Sequence, residues 1–360
     1  MKMDFEMNPD LVFHNPLPLD PAWLAHEKSA NLLATAPVLT SPGEKRQLYA
    51  DACRKLNAEL LSARDKHLTE GIKIQDTRIE PSSGSSHPGG IPIRNYIPAP
   101  IEQDIENAPM VIYFHGGGLY VGDLDSEDLT CRRICKSLNC TVYSVDYRLI
   151  PDHTASDALA DAIAAFQAIT SSNKATRLIV MGSSSGGQLA AQVSQHFRIR
   201  NAEHSKTNER IHGVLLRGPV TCDATDGGKN LPAKFKEYHT SMSEAFYTSL
   251  LSNAAVNIQN RTKELLPLEV EDLTGLPRHW IQVSTNDLYY SDGACYAEAL
   301  SSQGVDVKLD VVVGWPHTFW LKAPFLERAV EAERDMIEGL RWLLESEIEG
   351  EVDEKRCLEA

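Results

Sequence analysis

The sequence Leu-Ile-Val-Met-Gly-Ser-Ser-Ser-Gly-Gly at residues 178–187 is the stretch that says most about how this chain folds. Its four apolar residues are typical of a buried strand, and the Leu-Ala-Ala that follows at 189–191 is typical of a helix. Glycines on both sides of the serines permit a strand-to-helix turn that is too tight for side chains. In such a G-x-S-x-G turn the central serine, Ser184, presents its hydroxyl above the edge of the sheet. A flexible loop rich in glycine and serine is the alternative interpretation.

A second glycine-rich turn lies upstream. The apolar run at 110–114 predicts a short strand, which is followed at once by His115, Gly116, Gly117 and Gly118. Unobstructed backbone N–H groups in such a loop can converge on an oxyanion without reorganising during a reaction. We expect the amides of the second and third glycines and of Ser185 to do so, with the first glycine assisting the turn and the histidine bracing the loop. A phosphate loop is excluded, because neither Gly-Lys-Ser/Thr nor G-x-G-x-x-G spacing is present.

An acid and a base follow two predicted strands further along the chain. Asp287 comes just after the strand at 281–284, and His317 just after the alternating strand at 307–313. Taken singly, such an aspartate is often a helix cap and such a histidine is often structural. The chain order Ser184, Asp287, His317 nevertheless places the nucleophile before the acid and the acid before the base. This order is known from one group of serine hydrolases and differs from the orders in the chymotrypsin and subtilisin folds. The sequence therefore predicts a catalytic triad.

These motifs resemble those of the hormone-sensitive lipase-like branch of the α/β-hydrolases, the carboxylesterases with an HGGG motif. Four further segments are similar to motifs of that family: Asp146–Asp152 (D-Y-R-L-A-P-E), Leu273–Pro277 (S-G-L-P), Asp287–Gly293 (D-P-L-R-D-E-G) and Gly314–Phe319 (G-x-x-H-G-F). The resemblance runs from about residue 40 to 345. It implies an α/β-hydrolase fold, with a doubly wound, mainly parallel, eight-stranded sheet and a helical cap. The alternation of strands and helices from Pro109 onward independently favours such a sheet.

The chain departs from the family motifs at five positions: Ser183 replaces an Asp or Thr, Ser185 an Ala, Asp152 a Glu, Leu288 a Pro and Thr318 a Gly. None of these changes removes a predicted catalytic group, and the backbone N–H of Ser185 is retained. Together they indicate a branch with its own substrate, such as the fungal esterases of secondary metabolism.

Composition bounds the partners and the compartment. The 360 residues carry a net charge of −15, which argues against nucleic acid and anionic membranes as partners. No apolar stretch approaches the roughly 20 residues of a membrane span, and Met1–Asp10 lacks the layout of a signal peptide. The seven cysteines are scattered, and Cys131, Cys135 and Cys140 match no common zinc spacing. We therefore expect a cytoplasmic enzyme without metal or cofactor; whether it forms a homodimer is left open.

The predicted organisation divides the chain into a core and several added segments. The core comprises 71–220 and 267–346, the segment 1–70 and the insertion 221–266 form the cap, and 347–360 is an acidic tail. The predicted helices include 21–36, 42–63, 155–169 and 324–344, and the predicted strands include 72–79 and 93–97. In the family such added segments cover the nucleophile and shape the substrate pockets.

Aromatic residues suggest where substrate binds. Trp315, Phe319 and Trp320 flank His317, and we expect them to border the cleft. Phe246, in the cap insertion, is a candidate to line the pocket, and ordinary helix packing is the alternative interpretation.

The resemblance implies a serine ester hydrolase that acts on small-molecule esters with short, acetyl-like acyl groups. Two alternatives remain at this stage. A biosynthetic acyltransferase, thioesterase, lyase or cyclase would use the same triad but a different acceptor or step. A non-catalytic binder of small molecules is the other, although members of that kind have lost the histidine that is retained here as His317.

Overall fold

The computed structural model describes residues 7–33, 41–80, 87, 89–99, 108–173, 177–203, 211–223, 230–240 and 264–345, with the backbone alone for 199–203. Its strands are β1 (Ile72–Ile79), β2 (Ile91–Pro98), β3 (Met110–Phe114), β4 (Thr141–Val145), β5 (Leu178–Ser183), β6 (Ile211–Arg217), β7 (Arg278–Asn286) and β8 (Val307–Pro316). The α-helices are α1 (Pro21–Ser29), α2 (Pro42–Ser62), α3 (Asp128–Leu138), α4 (Ala155–Ser172), α5 (Ser185–Glu203), α6 (Tyr290–Ser301), α7 (Phe319–Lys322) and α8 (Glu327–Leu344).

The strands form one sheet in the order β1-β2-β4-β3-β5-β6-β7-β8. β2 pairs antiparallel with both β1 and β4, and the other neighbours are parallel. The predicted eight-stranded, mainly parallel sheet is confirmed. Since the carboxyl ends of parallel strands meet at one edge, the ends of β3, β5, β7 and β8 bring their following loops together.

Helices cover both faces of this sheet. Helices α4, α5 and α6 share one apolar cluster with the sheet, and α3 and α8 share a second cluster on the opposite face. Every residue of β3 and β5 is buried, as strands covered on both faces require. The central strands are therefore held rigidly, and the residues at their ends are positioned by this core.

Local sequence explains where several helices begin and end. Helix α2 starts with the predicted capping box, in which Ser41 and Glu44 each accept a backbone N–H of the other. Helix α1 ends at Ser29, earlier than predicted, because the chain turns into a left-handed conformation at Asn31 (φ 52°). Residues 224–229, 241–263 and the predicted acidic tail lie outside the described part of the chain, so the division into core and cap stays a prediction. None of the helices in the described ranges combines the length and apolar character needed to cross a bilayer.

Candidate active site

The turn between β5 and α5 presents Ser184. Its backbone is left-handed (φ 52°), and its N–H donates to the carbonyl of Arg217 over 2.9 Å. Gly186 has to be glycine, because a Cβ there would lie 2.0 Å from the carbonyl oxygen of Phe114. The start of α5 can thus approach the end of β3 only without a side chain at this position.

Ser184, His317 and Asp287 lie in hydrogen-bonded series. His317 Nε2 is 2.9 Å from Ser184 Oγ, and His317 Nδ1 is 2.6 Å from Asp287 Oδ2. Asp287 is 1% exposed, and its other oxygen accepts the N–H of Tyr289 over 2.8 Å. A carboxylate can only accept, so Nδ1 carries the proton and Nε2 is left to accept the serine hydroxyl.

The loop after β3 faces the serine. At Gly117 (φ 121°) a Cβ would lie 2.0 Å from the carbonyl oxygen of Val121, so the loop also depends on glycine. The amides of Gly117 and Gly118 make no hydrogen bond to any residue of the described ranges. Ser185 is the first residue of α5, whose N-terminal N–H groups have no acceptor within the helix. These donors are therefore available to a ligand, whereas the amide of Gly116 is used within the protein.

The acceptor for Gly116 is Glu127, a buried residue that the sequence analysis missed. One carboxylate oxygen accepts the N–H of Gly116 over 2.7 Å and also the hydroxyl of Ser183, and the other accepts the hydroxyl of Tyr113. This single carboxylate joins the oxyanion loop, the nucleophile turn and β3. In sequence it precedes Asp128 at the start of α3, where acidic residues are common helix-terminal features.

Other residues hold the loop in place. The Ser185 hydroxyl, one of the departures from the family motif, accepts the N–H of Leu119 over 3.2 Å. His115 stacks on Tyr147 with ring centroids 4.4 Å apart, and its Nδ1 donates to the carbonyl of Gly116 over 2.8 Å. The Tyr147 hydroxyl donates back to the carbonyl of His115 over 2.6 Å. The histidine therefore braces the loop and does not face the reacting serine.

Arg217 lies beneath the nucleophile turn and is 0% exposed. Its side chain donates to Gln282 over 2.9 Å and to Glu333 over 2.6 Å, and its guanidinium lies 4.0 Å from the ring centroid of Trp320. The residue whose carbonyl holds Ser184 is thus itself held by α8.

A cavity of about 1380 Å³ opens over Ser184 and His317, and α2, α3, α7 and α8 contribute to its walls. Trp320 borders it as expected. Trp315 and Phe319 are not among its lining residues; 3% and 0% exposed, they pack against each other and Trp315 packs against Trp23 of α1. The docking of α1 on this side turns both rings away from the cleft. Phe246 lies outside the described residues.

Known proteins resemble this chain in sequence. A profile of the α/β-hydrolase fold matches residues 111–321, more than half of the chain. Esterase LipI of Mycobacterium tuberculosis is 31% identical over 264 residues, which are 71% of this chain and 79% of LipI. The chain belongs to the hormone-sensitive lipase-like family of α/β-hydrolases.

Two further proteins resemble this hydrolase, one in sequence and one in structure. The versiconal hemiacetal acetate esterase of Emericella nidulans is 25% identical over 264 residues, covering 71% of this chain and 89% of that esterase. The crystal structure of vibralactone cyclase superposes with a TM-score of 0.73 over 96% of this chain and 98% of the cyclase, at 20% identity. The latter likeness shows the fold alone. The predicted family and fold are both confirmed.

Among its described residues, the hydrolase brings together one group of potential metal ligands that its sequence spacing did not reveal. Cys222, His239 and Asp292 are buried, with one ligand atom of each within 4.8 Å of the others. His239 Nε2 lies 3.3 Å from Asp292 Oδ1 and 3.4 Å from Cys222 Sγ, and Asp292 Oδ2 accepts the N–H groups of Thr221 and Cys222. Through these contacts the cluster ties the chain after β6 to α6.

Proposed function

We propose that this hydrolase cleaves esters of small molecules with short, acetyl-like acyl groups, through a covalent acyl-enzyme on Ser184. It is a carboxylic ester hydrolase by family. The observation that carries the proposal is the series Asp287–His317–Ser184, which opens into a cavity beside uncommitted backbone N–H groups. Serine is a weak nucleophile at neutral pH and needs an adjacent base of this kind.

The proposed reaction has two halves. His317 Nε2 takes the proton of Ser184 as Oγ attacks the ester carbonyl, and Asp287 stabilises the resulting imidazolium. The amides of Gly117, Gly118 and Ser185 donate to the oxyanion of the tetrahedral intermediate. His317 then protonates the leaving alcohol, and a water activated by the same histidine releases the acid. The chain supplies every group in these steps.

Cavity size bears on the substrate. At about 1380 Å³ it exceeds the range of about 300–1,000 Å³ that is usual for small-molecule sites. A small acyl group would leave most of this volume to the alcohol portion, which favours acetates of bulky molecules such as secondary metabolites. The acetate named for the relative from Emericella nidulans agrees with that assignment.

Substitutions test the nucleophile. Ser184→Ala should lower ester turnover by several orders of magnitude, on the order of 10⁶ as in other serine hydrolases. Ser194→Ala, which changes a buried serine of the helix that follows Ser184, is the matched control and should retain activity. His317→Ala and Asp287→Asn should each abolish most activity, and the double variant should be scarcely worse than His317→Ala, because the residues act as one unit. Loss of less than tenfold in Ser184→Ala would contradict the assignment.

The dependence of hydrolysis on acyl-chain length, and the detection of a covalent acyl-enzyme, test the proposed substrate and mechanism. Hydrolysis of p-nitrophenyl esters should fall clearly from acetate or butyrate to octanoate, since one methylene in a fitted pocket changes discrimination by about 1–3 kcal/mol. Mass spectrometry should find the acyl group on Ser184. Labelling of Ser184 by a fluorophosphonate without turnover of any simple ester would favour the acyltransferase, thioesterase, lyase or cyclase alternative. A flat profile with acyl length would contradict the short-chain assignment.

A further inference from the structure

A lysine that makes no ion pair with any of the described residues lines the active-site cavity. Lys322 ends the short helix α7, five residues after His317, and its side chain is exposed to the cavity. Within the described ranges it makes no side-chain hydrogen bond or ion pair. Burial nevertheless lowers the pKa of Lys322, and the nearby Asp287 carboxylate raises it by less. Asp287 is already engaged by His317 and by the N–H of Tyr289.

The charge of the cavity wall contrasts with that of the whole protein. Among the described residues that line the cavity, six are cationic and four are carboxylates, although the chain has a net charge of −15. The six cations are Lys45, Arg64, Arg133, Lys322, Arg334 and Arg341. Three of them are paired: Arg64 with Asp65, Arg133 with Glu333 and Arg341 with Glu338. The remaining three include Lys322, whose pKa the triad carboxylate Asp287 raises.

We propose that Lys322 is a binding residue for the carboxylate of an anionic ester, and that the natural substrate carries a free carboxylate beyond its scissile ester. This inference rests on the proposed ester hydrolysis and names its substrate class.

The physical reason is the state of the ammonium group before and after binding. Its position in the cavity wall removes part of its hydration, as its lowered pKa indicates, and no carboxylate of the described residues compensates that loss by contact. A bound carboxylate would supply a charge-assisted hydrogen bond where few water molecules compete. An ammonium group is a compact point charge that one carboxylate oxygen can satisfy. A neutral ester in the same cavity leaves the cation uncompensated.

Pairs of substrates that differ only in whether a carboxylate is free measure how much Lys322 contributes to recognising that carboxylate. On the alcohol side, 4-acetoxybenzoate is compared with methyl 4-acetoxybenzoate; on the acyl side, mono(4-nitrophenyl) adipate is compared with its methyl ester. The measured quantity is the ratio of kcat/KM for the anionic over the neutral member of each pair. In Lys322→Met that ratio should fall about tenfold to a hundredfold for at least one pair, the range expected for a hydrogen bond to a charged group. Lys322→Arg should keep most of the ratio.

Lys55→Met is the matched control. Lys55 lies on α2, is exposed and is not among the residues that line the cavity, so the variant changes net charge equally and should keep the wild-type ratio. A ratio within twofold of wild type in Lys322→Met for both pairs overturns the proposal. Should Lys322→Met fail to fold, the salt dependence of the wild-type ratio decides: it should decline as NaCl is added, and a ratio insensitive to NaCl overturns the proposal.

A binding measurement separates this inference from ester hydrolysis. If wild type cleaves no neutral ester, the proposed function fails, and the carboxylate site is then tested in the Ser184→Ala background. Titration calorimetry with 4-acetoxybenzoate should show at least tenfold weaker binding when Lys322→Met is added. Equal affinity in the two variants overturns the site whatever the activity.

Discussion

Replacing Glu127 should impair catalysis although the residue touches no part of the triad. Its carboxylate accepts three hydrogen bonds, one of them from the amide of Gly116 at the start of the oxyanion loop. Glu127→Ala leaves three buried donors without an acceptor, and each such loss costs about 1–3 kcal/mol. We expect the free energy of unfolding to fall by about 3–5 kcal/mol.

The catalytic effect follows from the position of the loop. When the carboxylate is removed, Gly116 is released and the donors of Gly117 and Gly118 lose their fixed direction. Loss of one oxyanion donor lowers kcat by about 10²–10³ in comparable enzymes, so Glu127→Ala should lower kcat by about 10² with KM changed little. Glu127→Gln keeps the shape and one acceptor oxygen, and it should lower kcat only about tenfold.

The assay compares kcat and KM on p-nitrophenyl acetate with urea unfolding of the same variants. Asp161→Asn is the matched control, because Asp161 is also a buried carboxylate, accepting from the backbone and side chain of Arg148, but it does not line the cavity. It should lower stability and leave kcat near wild type. If Glu127→Ala lowers stability equally but keeps kcat within twofold, the argument that Glu127 positions the oxyanion loop is refuted.

Three further outcomes are expected. Gly186→Ala should destabilise the protein by at least 1–3 kcal/mol and abolish most ester turnover, because its Cβ would meet the carbonyl of Phe114. Gly43→Ala is the control: a Cβ at Gly43 meets open space, so this variant should be neutral or stabilising by up to about 1 kcal/mol in urea unfolding. Burial lowers the pKa of His279 from 6.5 to about 4, so the fold favours the neutral imidazole. Stability of about 3 kcal/mol that is present at pH 7 is therefore lost as the pH falls from about 6.5 to 4. In His279→Phe the change in unfolding free energy between pH 7 and pH 4 should be smaller by that amount. EDTA should leave ester hydrolysis unchanged, whereas a loss reversed by Zn²⁺ would assign a metal to the cluster that contains Cys222.

The sequence predicted the residues whose positions follow from the strands. Ser184, Asp287 and His317 each come directly after a strand of the parallel sheet, so an apolar run and a short turn suffice to place them at one edge. The same reasoning located the glycine loop after β3. These positions depend on strands and glycine turns, and both produce recognisable patterns of apolar and glycine residues in the sequence.

Features that depend on side-chain direction were not predictable in this way. Glu127 bonds to Ser183 across 56 positions, and the spacing of the two residues contains no periodic signal. Trp315 and Phe319 flank the histidine in sequence but pack toward α1, a docking that nothing near residue 317 encodes. Cys222, His239 and Asp292 meet only because the chain after β6 folds over α6. Such contacts are set by tertiary packing.

The anchoring of Ser184 through Arg217 has a consequence for biosynthesis. Arg217 finds its carboxylate partner, Glu333, 116 residues further along the chain, on helix α8. Until that helix has been made, the guanidinium of Arg217 lacks the carboxylate with which it pairs in the folded protein, and the carbonyl that holds Ser184 is less firmly placed. A nascent or prematurely terminated chain therefore carries the whole serine turn without the support that fixes it. Ester cleavage should therefore begin only after α8 has been synthesised and has docked, and truncation before Glu333 should yield inactive protein.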